Sequence, residues 1–189
     1  MPIIMGDTAI NNIASGGLPD LALTSSAMYS GAVLQVVQTI KTDVFAGGGV
    51  NTTFYDITGF TANITPSSNT NKILVMADMQ LGTGYWVLRG KLRRNSADVT
   101  DSFGTARSAR AATSFVTHGY ENGATGYQMY RVAYEYLDSP ATTSALTYGI
   151  AISTYSTYGV YMNRSGNDGD SADYYGCPSS TITLMEIKA

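Results

Sequence analysis

From residue 32 onward, apolar and polar positions alternate in short runs with a period of two, the spacing that turns successive side chains to opposite faces of a sheet. Residues 72–81 set Ile73, Val75, Ala77 and Met79 on one side. Residues 85–95 oppose Trp86, Leu88, Gly90 and Leu92 to Arg89, Lys91 and Arg93, and residues 146–155 alternate through Leu146, Tyr148, Ile150 and Ile152. Residues 32–42 (AVLQVVQTIKT) are β-branched and nearly uncharged, which predicts a strand buried on both faces. Short strands are predicted at 52–57 and 60–65, joined at Gly59 and followed by a turn at Pro66-Ser67-Ser68-Asn69. Residues 113–120 and 127–138 flank the Gly-bearing turn 122–126, and further strands fall at 158–164 and 181–188. The polar stretch 97–112 reads as a long loop with room for one edge strand, and 163–180 as a Gly/Asp/Ser loop. Strand after strand with no amphipathic helix predicts an all-β fold, an antiparallel β-sandwich or jelly roll. A parallel α/β fold is excluded because nothing can serve as crossover helices. The lack of a fixed repeat disfavours propellers and solenoids.

Residues 1–31 keep neither period. Asp7 can cap a short helical turn through Ile13 that Gly16-Gly17 would end. The segment is too apolar for a solvated tail and too small for a core of its own, so Ile3, Ile4, Ile10, Ile13, Leu18, Leu21 and Leu23 need cover. A disordered terminus is one reading. The preferred one is an extended N-terminal arm that becomes ordered by lying on another subunit. The organisation expected is therefore an arm at 1–31 and a sandwich domain at 32–189. The first 32 residues hold no Lys or Arg, so a secretory signal is not expected. No stretch approaches the ~18 apolar residues of a membrane span, so the protein is expected to be soluble where it is made, with no membrane partner.

Composition narrows the chemistry. Charged residues are 13% of the 189, and the net charge is −3 with 11 basic residues, so a basic nucleic-acid surface and a nucleic-acid partner are not expected. One Cys and one His leave no internal disulfide, no Cys-based zinc site and only His118 for a catalytic triad. Cys177 and His118 could pair only through the fold. No GxSxG, P-loop or HExxH pattern occurs. A glycosidase needs two facing carboxylates, and the strand regions hold only Glu135 and Glu186. No catalytic residue and no cofactor are assigned. Loop 166–173 offers Asp168, Asp170 and Asp173 as oxygen ligands for Ca²⁺, but without the twelve-residue loop spacing a solvated turn is the plainer reading, and no metal is assigned.

Arg89, Lys91 and Arg93, with Arg94, Arg107 and Arg110, concentrate most of the basic charge in one third of the chain. They suit either a phosphate-binding strip or, preferred, a strand face turned to solvent or to a neighbouring subunit's carboxylates. Eleven of the 14 tyrosines fall at or after Tyr120. Tyr130, Tyr134 and Tyr136 share a strand face, and Tyr155, Tyr158 and Tyr161 follow. Two readings stand level: a recognition or trimer surface of rigid aromatic contacts, and cross-strand packing inside the sandwich.

Several phrases are similar to short virion structural proteins of tailed bacteriophages. They are Ile13-Ala14-Ser15-Gly16-Gly17-Leu18-Pro19-Asp20, the run from Gly31 to Gln38, Ile64-Thr65-Pro66-Ser67-Ser68 with Lys72-Ile73-Leu74-Val75, Asn163-Arg164-Ser165, and Ser180 to Ile187. The resemblance spans most of the chain. It implies a trimeric jelly roll of the tumour-necrosis-factor type, with the first long strand and the last lying centrally and aromatics on the threefold axis. It implies no enzyme and no cofactor. The expected role is a capsid decoration (cement) protein that stabilises the head by laying its arm on the major capsid protein, in a virion assembled in the host cytoplasm. The alternative is a tail fibre or host-receptor module with a host surface glycan as partner.

Overall fold

A computed structural model describes residues 28–48, 53–83, 87–118, 126–155 and 159–189, together with the backbone of Ile4–Met5 and Thr8–Ala9. Its described residues form thirteen strands and one 3₁₀ turn, Thr100–Ser102. The strands are β1 (Ile4–Met5), β2 (Thr8–Ala9), β3 (Val33–Lys41), β4 (Phe45–Gly48), β5 (Tyr55–Ile64), β6 (Lys72–Thr83) and β7 (Val87–Arg94). They continue with β8 (Ala97–Asp98), β9 (Phe115–His118), β10 (Met129–Asp138), β11 (Leu146–Thr154), β12 (Gly159–Met162) and β13 (Ser180–Ile187). Every pairing is antiparallel.

The first large sheet runs β3-β13-β6, with β10 on the far edge of β6. Beyond β13, the short β12 takes over the same edge of β6 and carries β4 in turn. The second sheet runs β5-β11-β7, and β8 and β9 pair with successive parts of β7. Counting β3, β5, β6, β7, β9, β10, β11 and β13 in chain order as one to eight, the first sheet holds the first, eighth, third and sixth, and the second holds the second, seventh, fourth and fifth. That interleaving is a jelly roll, two Greek keys folded into a sandwich.

The core forms where the two inner faces meet, from the alternate positions of each strand. Ile73, Val75, Ala77, Met79 and Leu81 of β6 face Ile57, Phe60, Ala62 and Ile64 of β5, Leu88 and Leu92 of β7, and Tyr148, Ile150 and Ile152 of β11. Gly90 interrupts the apolar positions of β7 for a steric reason. It sits directly opposite Phe115, and a Cβ there would fall 2.0 Å from the Phe115 ring. One buried polar group in this interior is a cluster: Tyr148 donates to Asp138 at 2.6 Å, and Arg94 reaches the same carboxylate at 2.5 Å. Burial, reinforced by Asp138, pushes the Tyr148 phenol far above its ordinary range.

Five expectations are corrected by the fold. Residues 32–42 are not buried on both faces: β3 lies at the end of its sheet, and Val36 and Ile40 are exposed. By the same token the first long strand is not central, although the last one, β13, is. The strands expected at 52–57 and 60–65 are one continuous strand, because Gly59 adopts φ +77° and passes through as an irregularity, matched on β11 by the register shift between Gly149 and Ala151. The strand at 146–155 does not alternate between core and solvent. Its outward Gly149, Ala151 and Ser153 are small and buried as well. The strands that flank the 122–126 turn also separate, β9 into the second sheet and β10 into the first.

Of the arm residues, Ile3, Ile10, Ile13, Leu18, Leu21 and Leu23 lie outside the described residues, and Ile4 is described only as a backbone pair with Ala9. Trp86, Tyr120 and Tyr158 also lie outside them. The arm's root is fixed. Gly31 donates to the Lys188 carbonyl at 2.8 Å, Lys188 donates back to Ala32 at 2.9 Å, and the Lys188 ammonium holds the Met28 carbonyl.

Candidate functional site

Three surfaces of the sandwich present candidate sites. On the outer face of the first sheet, the strand registers bring Val36, Met185, Leu74 and Leu137 into one cross-strand row. Val36 and Leu137 are 56% and 44% exposed; exposed Met76 lies in the next row, beside Thr183, and exposed Ile40 in the row after that, on the same side. Next to the row is a shallow basin of about 540 Å³, walled by Gln38, Thr183, Met76, Asp78, Ala133 and Arg131. Arg131 grips Asp78 with two nitrogens, at 2.9 and 2.6 Å. That hydrogen-bonded pairing holds the Asp78 carboxyl below its usual range.

The outer face of the second sheet is the opposite in character. Lys91 pairs with Asp98 at 2.7 Å, and Arg93 meets the same carboxylate at 2.8 Å. The Lys91 ammonium also lies over the rings of Phe54 and Phe103. Arg89 reaches the Thr154 carbonyl at 3.3 Å. The register sets Arg89, Lys91 and Arg93 beside the small outward Ser153, Ala151 and Gly149 of β11, where a long side chain can lay its aliphatic stem along the sheet while its charged end finds a partner. The basic strip is thus turned to carboxylates of its own subunit. Arg107 and Arg110 stand apart in the exposed 104–112 loop.

The third surface is a recess of about 220 Å³ at one end of the sandwich, between residues 126–129 and 163–177. Its wall is aromatic: the Tyr127 ring centre lies 6.2 Å from that of Tyr174 and 5.8 Å from that of Tyr175. Tyr174 is 72% exposed. Arg164 stacks 4.1 Å above the Tyr161 ring and pairs with Asp168 at 2.6 Å. The loop is firmly seated. Buried Asn163, in the left-handed region at φ +61°, donates to the carbonyls of Lys41 and Asp43 at 2.8 and 3.0 Å and accepts from Ser180 at 2.7 Å. Asn167 donates to the Gly126 carbonyl at 2.8 Å, which ties the two segments together. Gly169 lies so close under Tyr175 that a Cβ would come within 2.7 Å of the ring.

Other singled-out residues fall as follows. Tyr134 and Tyr136 do share a face with Tyr130, and it is the inner one: both pack half-buried on the core, Tyr134 with its ring centre 5.6 Å from Phe115. Tyr155 is exposed at the end of β11. Asp168 is engaged by Arg164, and among the described residues no group of three potential metal-ligating side chains comes together. Cys177 is exposed in the recess loop, whereas His118 ends β9 in the second sheet. Glu135 and Glu186 occupy opposite faces of the first sheet. Glu135 is exposed opposite Met76, and Glu186 is buried opposite Ile73.

Glu186 is instead a clasp. It accepts from the Ser67 amide at 2.6 Å, the Ser67 hydroxyl at 2.8 Å, Asn71 at 2.6 Å and Gln35 at 2.6 Å, binding the end of β13 to the 65–71 turn and to β3. Burial raises its carboxyl, but the hydrogen bonds from Asn71, Gln35 and Ser67 outweigh that and leave it below the usual glutamate range. The apolar row and the Tyr127–Tyr174–Tyr175 wall were not foreseen. The Tyr174-Tyr175 doublet between Gly169 and Gly176 was the available signal for the second.

No family model matches the chain. No curated protein matches it. Among solved structures, it is similar to the infectious bursal disease virus VP2 subviral particle, with a TM-score of 0.34 and 12% identity over 82% of this chain and 38% of that one. It is also similar to the T=1 particles derived from infectious bursal virus, with a TM-score of 0.37 and 14% identity over 91% of this chain and 41% of that one. The chain spans about two fifths of the length of these proteins.

Proposed function

We propose that this is a non-catalytic bacteriophage virion structural protein, a decoration or cement protein that assembles as a homotrimer and stabilises the head. One observation carries the reading: the apolar row Val36–Met185–Leu74–Leu137 crosses four strands of an outer face with no cover from its own chain among the described residues. A contiguous exposed apolar patch marks a surface that meets another protein. The row also lies near the arm's root, since Val33 pairs with Ile187 one step from Lys188. In this reading copies of the chain meet through the row, and Ile3, Ile4, Ile10, Ile13, Leu18, Leu21 and Leu23 lie on the major capsid protein. Apolar area covered there stabilises the contact by ~25 cal/mol per Å². The resemblance of the sequence to short phage virion proteins supports the same location.

The test is to delete residues 1–30 and mix the protein with purified heads. The expected result is a folded assembly that no longer sediments with heads. Undiminished binding refutes the arm's role. A second reading, a tail-fibre or host-receptor module that takes a surface glycan, is favoured by the tyrosine-walled recess.

A further inference from the structure

We infer that the recess between residues 126–129 and 163–177 binds a single saccharide ring. This rests on the second reading for its biological purpose and goes beyond it in naming the site and the ligand class. Size is the first argument. At about 220 Å³ the recess is smaller than the roughly 300–1,000 Å³ that accommodates drug-sized ligands, so it suits one ring rather than an extended polymer. The second argument is the wall. The Tyr127 ring is tilted by 49° to that of Tyr174 and by 42° to that of Tyr175, and all three line the recess. The negative face of an aromatic ring attracts the polarised C–H bonds on the apolar side of a pyranose.

Charge decides between a sugar and an anion. The Arg164 guanidinium is already occupied by Asp168 on one side and by the Tyr161 ring beneath it. A phosphate or sulfate would have to displace that carboxylate. Neighbouring hydroxyls do not: one donates to Asp168, whose side chain is still 60% exposed, while another accepts from the guanidinium. Preorganisation is the third argument. The Asn163 anchor, the Asn167–Gly126 bond and the close fit of Tyr175 over Gly169 hold the wall in place before any ligand arrives, so little ordering opposes binding.

The experiment uses the full chain in two stages. A glycan array identifies a bound sugar class, and saturation-transfer NMR with free glucose, galactose, mannose and N-acetylglucosamine then reports contact with the ring protons. Tyr174→Ala and Asp168→Asn are compared with Tyr29→Ala, whose side chain is 90% exposed far along the sequence. The expected result is saturation transfer that is unchanged in Tyr29→Ala and weakened roughly tenfold in each recess variant. Array binding that ignores Tyr174→Ala and Asp168→Asn overturns the site while leaving the glycan reading intact. No binding to any array member overturns both. Binding of inorganic phosphate that competes with the sugars and depends on Arg164 makes the recess an anion site and overturns the saccharide assignment.

Discussion

The two outer faces of the sandwich answer the same problem in opposite ways. The second sheet sets Arg89, Lys91 and Arg93 beside the small residues of β11, and satisfies their charges with Asp98 and backbone carbonyls of the same chain. Val116 of β9 stands exposed on that face opposite Arg89, without an apolar row around it among the described residues. The first sheet uses its long side chains differently: an Arg131–Asp78 pair stands beside the row of Val36, Met185, Leu74 and Leu137, exposed at its two ends and partly so between. A lone Leu at a surface is ordinary, but four apolar residues in register across four strands are a template for contact. The difference teaches that the face to watch is the one bearing the apolar row, although the basic strip is the more conspicuous in the sequence.

That contrast can be broken most directly by placing charge in the row. Each of Val36 and Leu137 contributes roughly 1.5–3 kcal/mol when fully buried. Val36→Asp with Leu137→Asp should therefore weaken self-association by more than about a hundredfold, read by sedimentation velocity, with an unchanged far-ultraviolet spectrum. An unaltered sedimentation coefficient removes the row from the assembly.

A smaller effect is expected inside the first sheet. Glu186→Gln should cost about 1–2 kcal/mol at neutral pH in urea unfolding, because several hydrogen bonds to a charged acceptor are weakened. The Glu186 carboxyl titrates lower in the folded protein than in the unfolded chain, so its contribution is complete above the ordinary glutamate range. It is lost as pH falls below about 4.3, and the variant and the parent should converge in acid. A constant gap across that range would deny the clasp its ionic character. The smallest change belongs to the second sheet. Asp98→Asn should cost at most about 1 kcal/mol, diminish further in high salt, and leave the association state untouched.

The strands with one buried face were legible because their alternation is a direct print of the sheet: β6, β7 and β13 lie where the pattern put them. β3 and β11 were harder for a common reason. A Val/Ile-rich strand has the same text whether its second face is covered by its own chain or left for another, so residues 32–42 looked interior and proved to be an edge. Conversely Gly149, Ala151 and Ser153 are buried although they face outward, Gly149 against Thr61 of β5 and Ser153 within reach of Arg89 of β7, a cover from other strands that no local period records. The recess was illegible for a topological reason. Tyr127 and the Tyr174–Tyr175 doublet are brought together only when the 163–180 loop is pinned by Asn163 to the corner between β3 and β4. Tyr134 and Tyr136, whose regular spacing made them prominent, went to the core.

The position of β13 has a consequence for synthesis. It is inserted between β3 and β6, so a nascent chain that has emerged only as far as the recess loop still has those two strands apart and the row unmade. Folding of this sheet waits for residues 180–187 to leave the ribosome. Polypeptides that stop short of β13 consequently leave the Val36–Met185–Leu74–Leu137 row unassembled.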